Sequence, residues 1–399
     1  MNQPSRALWI FMKVNDIPFE PVLIKLARSN QITKAFAEVN RFKQIPCIDD
    51  DGFKLSETVA IFRYLMAKHP EIAEHWYPKE PRERARVDEY LEWQHNEIRL
   101  GCTVHVRVKF VLPLTRWKGA SERRLAETQE NMEKALDKLE NIWLADESQQ
   151  FLASNEISFA DLFSFCEVES TKLTGYDPYA GRAKLNKWQA RVRERTNPVC
   201  DEAHAPNTAL AGYSNSWRIA QALKLFFSGQ FLLNHQLNTK LRMLKFYFDL
   251  LSQPSRALWI FLKLNKIPFE PVVVKLARGQ QFAKSYASIN RFKMVPCIDD
   301  NGFKLSESVA IFRYLTAKHQ EVADHWYPKE IQERAKVDEY LEWQHTATRL
   351  GCTGYLRAKY LEPTIKFKAP NEKKIADAHK KMIIALDQLE SIWLADKSK

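Results

Sequence analysis

Two stretches of this chain could carry chemistry, and they differ at one decisive position. Ser252-Gln-Pro-Ser255 follows the apolar run Leu244–Leu251 and opens a stretch of helix formers, while Asn2-Gln-Pro-Ser5 stands 250 positions earlier. A serine at a helix start satisfies an orphan backbone N–H. Its hydroxyl can also donate to an anion drawn by the partial positive charge of the helix end. If that anion is the sulfur of a bound thiol, its pKa falls from about 8.5 toward neutrality and it becomes a nucleophile. The turn carries no CxxC, so disulfide exchange by the protein's own thiols is excluded. Glu307-Ser308 at a helical start, and Arg349 on a helix, are further candidates. Their plain alternatives are a helix cap with surface charge, and a salt bridge.

The elements that must position these residues read most fully after residue 243. Leu244–Leu251 is strand-like, rich in aromatic and branched residues. A helical run follows to about Asn265, with Pro254 in its first turn, where the missing N–H costs nothing. Strand-like Glu270–Lys275 precedes a polar helical segment near 280–288. Val295–Ile298 and Phe303–Leu305 flank Asp299-Asp-Asn-Gly302, a hairpin signal. Ser306 or Glu307 then caps a helix over Val309–Lys318. The order βαβ–α–ββα predicts a thioredoxin-like domain. From about residue 330 the apolar spacing is helical throughout, which predicts an all-helical second half.

Internal repetition organises the rest. Gln3–Phe11 recurs at 253–261, Gly52–Glu57 at 302–307, Val59–Leu65 at 309–315 and Val87–His95 at 337–345, always at an offset of 250 without a gap. The chain is therefore read as a duplicated pair of α/β thioredoxin-like and all-α domains. The expected boundaries are 1–70 for a thioredoxin-like domain lacking its first strand and 80–204 for its helical partner. A linker spans 205–243, a complete thioredoxin-like domain 244–320, and a truncated helical domain 330–399. The first helical region includes Ser158-Phe-Ala-Asp161, a capping-box pattern ahead of an apolar run. Pro206–Ser216 reads as a loop. Met243 falls where an independent protein would start, which suggests a fused gene pair or a fused gene model.

Composition narrows the class. The 399 residues are 45% hydrophobic and 27% charged, with 11 glycines, an ordinary globular profile that favours helices. The net charge is +11, yet basic and acidic residues interleave, as in Lys79–Arg84, which reads as a solvated helix face and against nucleic acid. No secretory pattern opens the chain and no apolar window is long enough to cross a membrane, so a cytoplasmic protein is expected. The six cysteines, Cys47, Cys102, Cys166, Cys200, Cys297 and Cys352, have neither CxxC nor zinc spacing and read as reduced thiols. His95 and His345 lack metal partners nearby and read as packed or capping residues, and no metal is expected.

Taken in order, Asp249-Leu-Leu-Ser-Gln-Pro-Ser-Arg-Ala, Asn290-Arg-Phe-Lys-x-Val-Pro, Leu305-x-Glu-Ser-Val-Ala-Ile and Val337-Asp-Glu-Tyr-Leu-x-Trp-Gln-His resemble theta-class glutathione transferases, the insect ones above all. The resemblance covers 1–204 and 244–399. It implies conjugation of the glutathione thiolate to small hydrophobic electrophiles, with glutathione as co-substrate and usually a dimeric assembly. It further implies that Ser252 holds the thiolate and that Val295, before a cis Pro296, pairs with the cysteinyl unit. Glu307 and Ser308 would take the γ-glutamyl amine and carboxylate, and Arg349 would lie near the sulfur. Gln281 stands where relatives often have His for the glycyl end, and Met294 where they often have Lys, which weakens or re-routes glycyl contacts.

The first copy keeps Gln31, Ile45, Pro46, Glu57, Thr58 and Arg99 but has Asn2 for the serine, so it is expected to be inactive or badly impaired. The two copies are expected to form an intramolecular pseudo-dimer, or the chain a homodimer. The alternatives are a non-catalytic binding or scaffold protein on the same fold, and a fused gene model without full activity.

Overall fold

A computed structural model describes residues 2–22, 24, 33–113, 119–211, 244–363 and 369–395. The first copy contributes α1 (Gln3–Val14), α2 (Lys34–Val39), β1 (Cys47–Asp50), β2 (Phe53–Ser56) and α3 (Thr58–Lys68). Its helical part follows as α4 (Pro81–Asn96), α5 (Glu122–Lys138), α6 (Phe159–Ser170), α7 (Ala183–Thr196) and α8 (Val199–Ala211). The second copy opens with β3 (Leu244–Phe248), α9 (Gln253–Leu264), β4 (Phe269–Val273), α10 (Lys284–Ala287), β5 (Cys297–Asp300), β6 (Phe303–Ser306) and α11 (Ser308–Lys318). It continues with α12 (Ile331–Gln344), α13 (Leu350–Leu356) and α14 (Glu372–Gln388).

The second copy has the βαβ–α–ββα order expected from its sequence. Its sheet runs β4-β3-β5-β6, with β3 parallel to β4 and antiparallel to β5. Alternation along β3 sends Leu244, Phe246 and Phe248 into the core and leaves Lys245 exposed. That core also takes Leu258, Phe261, Ile298, Leu305 and Ile311. The β5–β6 turn is Asn301-Gly302, both at positive φ (59° and 86°), the pairing a tight two-residue hairpin demands.

The first copy builds less. Among the described residues β1 pairs with β2 alone, and residues 19–22, counterparts of β4, form no strand. The β3–β4 ladder of the second copy has no equivalent among the described residues of the first. Cys47 and Ile48 are accordingly half-buried, where Cys297 and Ile298 are fully buried.

Two compact units emerge, and each joins segments of both copies: residues 1–23 with 65–331, and residues 24–64 with 332–399. In the first unit α6 packs along α1, with Arg6 Nη2 donating to the Cys166 carbonyl at 3.0 Å and Gln3 Nε2 to Ser170 Oγ at 3.2 Å. On the equivalent face of α9, Ile260 and Leu264 are 53% and 64% exposed, whereas Ile10 and Val14 are buried. Helix α4 of the first copy packs on α11 and β6 of the second, and its Ala85 joins the second copy's core. The capping box at α6 forms: Ser158 donates its backbone N–H and its hydroxyl to Asp161 Oδ2, both at 2.9 Å.

Contacts in the second unit repeat those of the first at the offset of 250. Glu339 accepts from the Ser56 N–H at 2.8 Å, and Arg63 pairs with Glu342 at 2.6 Å. Phe42 packs beside Trp343 and Trp393, and Arg41 donates to the Ile392 carbonyl at 3.1 Å. Gly351 meets α14 closely: a Cβ there would lie 3.1 Å from that of Ala385. Gly101 plays the same part in the first unit against Ala135, at 2.9 Å.

Two expectations need correction. Residues 206–211 continue α8 where Pro206, Asn207 and the residues after them read as loop; one proline removes a single helical N–H and did not end this helix. The remaining linker, 212–243, lies outside the described residues. Nor is the charged run around 79–84 wholly a solvated face. Arg82 donates to the Asp300 carbonyl at 3.3 Å and lies over the Phe303 ring at 5.4 Å.

Candidate active site

Ser252 is the N-cap of α9. Its hydroxyl accepts from the Ser255 N–H at 3.4 Å and donates to the Val295 carbonyl at 3.4 Å. The same side chain that caps the helix is aimed from its start at the loop before β5. Asp249 sets the approach to that helix: its carbonyl accepts from the Ser252 N–H, and its carboxylate from the Leu251 and Leu276 N–H groups at 2.9 and 2.8 Å. Nothing in its residue type or spacing singles out this aspartate beyond its place in the motif.

The opposing loop is pinned from within. Tyr286 Oη and Asn290 Nδ2 both donate to the Met294 carbonyl, at 2.6 and 2.8 Å, and Val295–Pro296 is cis. Burial, with the Cys297 thiol nearby, pushes the Tyr286 phenol well above its ordinary range, so it remains a donor. Met294 is itself partly exposed. On the loop after β4, the Gln281 Oε1 atom is buried with no hydrogen-bond partner.

After β6 the chain turns through Glu307, buried and at φ 64°, into α11, whose first residue is Ser308. The Glu307 side chain makes no capping bond to the helix, contrary to the sequence expectation of a cap. A non-glycine residue there is strained and persists only where its surroundings over-determine it. Ser252, Gln281, Val295, Pro296, Glu307 and Ser308 all belong to the first unit, on the edges of one four-stranded domain. Arg349 belongs to the second unit, at the end of a π-helical turn, with Nη1 3.4 Å from His345 Nδ1.

The first copy retains the same backbone at its equivalent positions: Ile45–Pro46 is cis and Glu57 sits at φ 64° ahead of Thr58. Asn2 caps α1 by accepting from the Ser5 N–H at 3.0 Å. Asn2 and Arg99 fall in the first unit, while Ile45, Pro46, Glu57 and Thr58 fall in the second. Arg99 is 3.6 Å from Glu167, whose carboxyl burial pushes up against the opposing pull of Arg99 and Thr103. Gln31 lies outside the described residues.

Among the described residues no group of three or more His, Cys, Asp and Glu could hold a metal ion, and no helix is long and apolar enough to cross a membrane. All six cysteines are free.

A thioredoxin-like domain with serine at its helix entry and a cis Val-Pro opposite, followed by a helical domain, defines the glutathione transferase fold. Comparison with known proteins bears this out. The profile "Glutathione S-transferase, N-terminal domain" matches residues 246–317, and a second such profile matches 3–74. "Glutathione S-transferase, C-terminal domain" matches 103–196. Human glutathione S-transferase theta-1 is 37% identical over 205 residues, 51% of this chain and 84% of its own length. Mouse theta-3 is 41% identical over the same shares. The apo structure of human glutathione S-transferase T1-1 superposes with a TM-score of 0.51 at 36% identity, covering 53% of this chain and 88% of that one. Human theta-2, solved in complex with glutathione and an unknown ligand, gives 0.50 at 32% identity over 53% and 86%. The chain belongs to the glutathione S-transferase family, a family of transferase enzymes.

Proposed function

We propose that the protein conjugates glutathione to small hydrophobic electrophiles at a site built by its second copy, around Ser252. The observation that carries this reading is the Ser252 hydroxyl, at a helix N-terminus and within 3.4 Å of the carbonyl of Val295, the residue whose backbone would pair with a cysteinyl unit. The hydroxyl donates to the glutathione sulfur and, with the helix end, favours its thiolate. The thiolate attacks carbon, an S–C bond forms, and the leaving group departs with its electron pair. Glu307 and Ser308 hold the γ-glutamyl end, and the unpartnered Gln281 Oε1 atom suits a contact on the glycyl side.

The first copy is a degenerate site. Asn2 offers no hydroxyl, and Gln31, Ile45, Pro46, Glu57, Thr58 and Arg99 remain as its inheritance. The domain boundaries are those stated from the sequence, with the two tandem copies paired as an intramolecular pseudo-dimer. The identical Glu–Ser and Arg–Glu contacts in both units support that pairing. Six free thiols support a reducing, cytoplasmic setting.

Initial rates with glutathione and a panel of alkyl halides and hydroperoxides test the proposal. Saturable, glutathione-dependent turnover that is lost in Ser252→Ala supports it; turnover indifferent to that change overturns it.

A further inference from the structure

We propose that Glu89, on helix α4 of the first copy, is a positioning residue for the glutathione site of the second copy; this rests on the Ser252 reading above. One oxygen of its carboxylate, Oε1, accepts two hydrogen bonds from Ser306: from the backbone N–H at 2.8 Å and from the hydroxyl at 2.6 Å. The other oxygen takes Arg86 Nη1 at 2.8 Å and lies 3.8 Å from Arg291 Nη2. Glu89 and Ser306 are buried, so these bonds form where charge-assisted contacts are strongest.

Ser306 ends β6 and directly precedes Glu307, the residue at φ 64° proposed to hold the γ-glutamyl amine. A strained residue keeps its conformation only while its neighbours hold it. On the C-terminal side the α11 ladder does so, the Ile311 N–H donating to the Glu307 carbonyl at 2.9 Å. On the N-terminal side the hold comes from Glu89. The same helix grips the middle of α11, where Arg313 pairs with Glu92. The other wall of the site is braced alike. Phe292, three residues before Val295, packs beside Trp93 and Trp143 at ring distances of 5.9 and 5.5 Å, and Arg291 lies 4.3 Å over Trp143. Helices of the catalytically degenerate copy thus shape the binding wall of the other, and the first copy is kept for that support.

The test uses the full chain. In Glu89→Gln one oxygen is replaced by an amide nitrogen that must confront Arg86 or Ser306. Because the γ-glutamyl contact is equally present in ground and transition states, the KM for glutathione should rise about threefold to tenfold while kcat stays within about twofold. Glu339→Gln, the equivalent change beside the first copy's Ser56, should leave both constants within about twofold of the parent. Ser306→Ala, which removes only the hydroxyl donor, should raise KM by a smaller factor and serves if Glu89→Gln does not fold. An unchanged KM in a natively folded Glu89→Gln chain, or a fall in kcat at constant KM, overturns the assignment. If the parent neither binds glutathione by calorimetry nor turns it over, the Ser252 reading falls and this assignment with it. If the parent is active and only the Glu89 and Ser306 variants are silent, this assignment alone falls.

Discussion

The Ser252 hydroxyl donates to the carbonyl of Val295 at 3.4 Å, well beyond the usual O–H···O distance of about 2.8 Å. A bond that long is weak, and its proton can swing away from the carbonyl onto a sulfur bound beside the hydroxyl. Ser252→Ala should therefore lower kcat/KM for conjugation by about tenfold to a thousandfold, at about 1.4 kcal/mol per tenfold. Asn2→Ala should change nothing beyond experimental error. Were Asn2 the more sensitive position, the first copy and not the second would hold the active site.

Glu307→Ala should raise the KM for glutathione while sparing kcat, because a contact made in ground and transition states alike contributes uniform binding. Steady-state kinetics with glutathione as the varied substrate decide it. A depressed kcat at unchanged KM would place Glu307 in the chemical step.

Arg313 and Glu92 form an ion pair with both side chains buried. Removing one partner leaves a charge in a poorly solvated site, so Glu92→Ala should cost about 3–5 kcal/mol. The double change Glu92→Met with Arg313→Leu should recover most of that loss, since two apolar side chains need no partner. Urea midpoints of Glu92→Ala and of the double variant measure the difference; a double variant no more stable than Glu92→Ala would argue against burial of the pair.

Acid should weaken the second copy's sheet through Asp300. Burial alone would raise its carboxyl, but hydrogen bonds from Lys318 and Tyr314 outweigh it and hold the group below the usual carboxylate range. A depressed folded value stabilises above the unfolded pKa of about 4 and loses that contribution as pH falls through the folded value. Asp300→Asn should lower the unfolding midpoint at neutral pH, and its gap from the parent should close on acidification. A gap that stays constant down to pH 3 would remove Asp300 from the account.

Thiol labelling of the native chain should be fastest at Cys352, which is half-exposed. Burial pushes the Cys47 thiol up to about 11 and Cys200 up to about 12, and raises Cys102, Cys166 and Cys297 as well. Those five should react appreciably only after unfolding, as read by peptide mass spectrometry at pH 8.

Local chemistry was legible where sequence and backbone agree residue by residue. Alternation in Leu244–Phe248, Pro254 at a helix start and Asn301-Gly302 between two strands each specify one conformation. The positive φ of Glu307 was not legible, because glutamate has no propensity of its own for that region. Nor was the burial of Glu89 and Glu92. Acidic residues on a charged helix read as solvated, and only the assembled structure places Ser306 and Arg313 opposite them. The repeated Asp-Glu-Tyr-Leu-Glu-Trp stretch, with acidic residues interleaved among Tyr90, Leu91 and Trp93, was the available signal. It served as a marker of duplication and not as a sign of contact.

The gapless offset of 250 has a practical corollary. Because the copies stay in register, a splice at any matched position inside the repeat rejoins the chain without insertion or deletion. Residues 244–344 followed directly by 95–211 would carry each sheet and helix element once, starting from β3 and finishing in α8. Such a monomeric chimera would keep Ser306 and Arg313 but also a single set of acidic residues, as Glu339 and Glu342. Its internal braces would become contacts between two identical molecules, converting a covalent tandem into a concentration-dependent assembly.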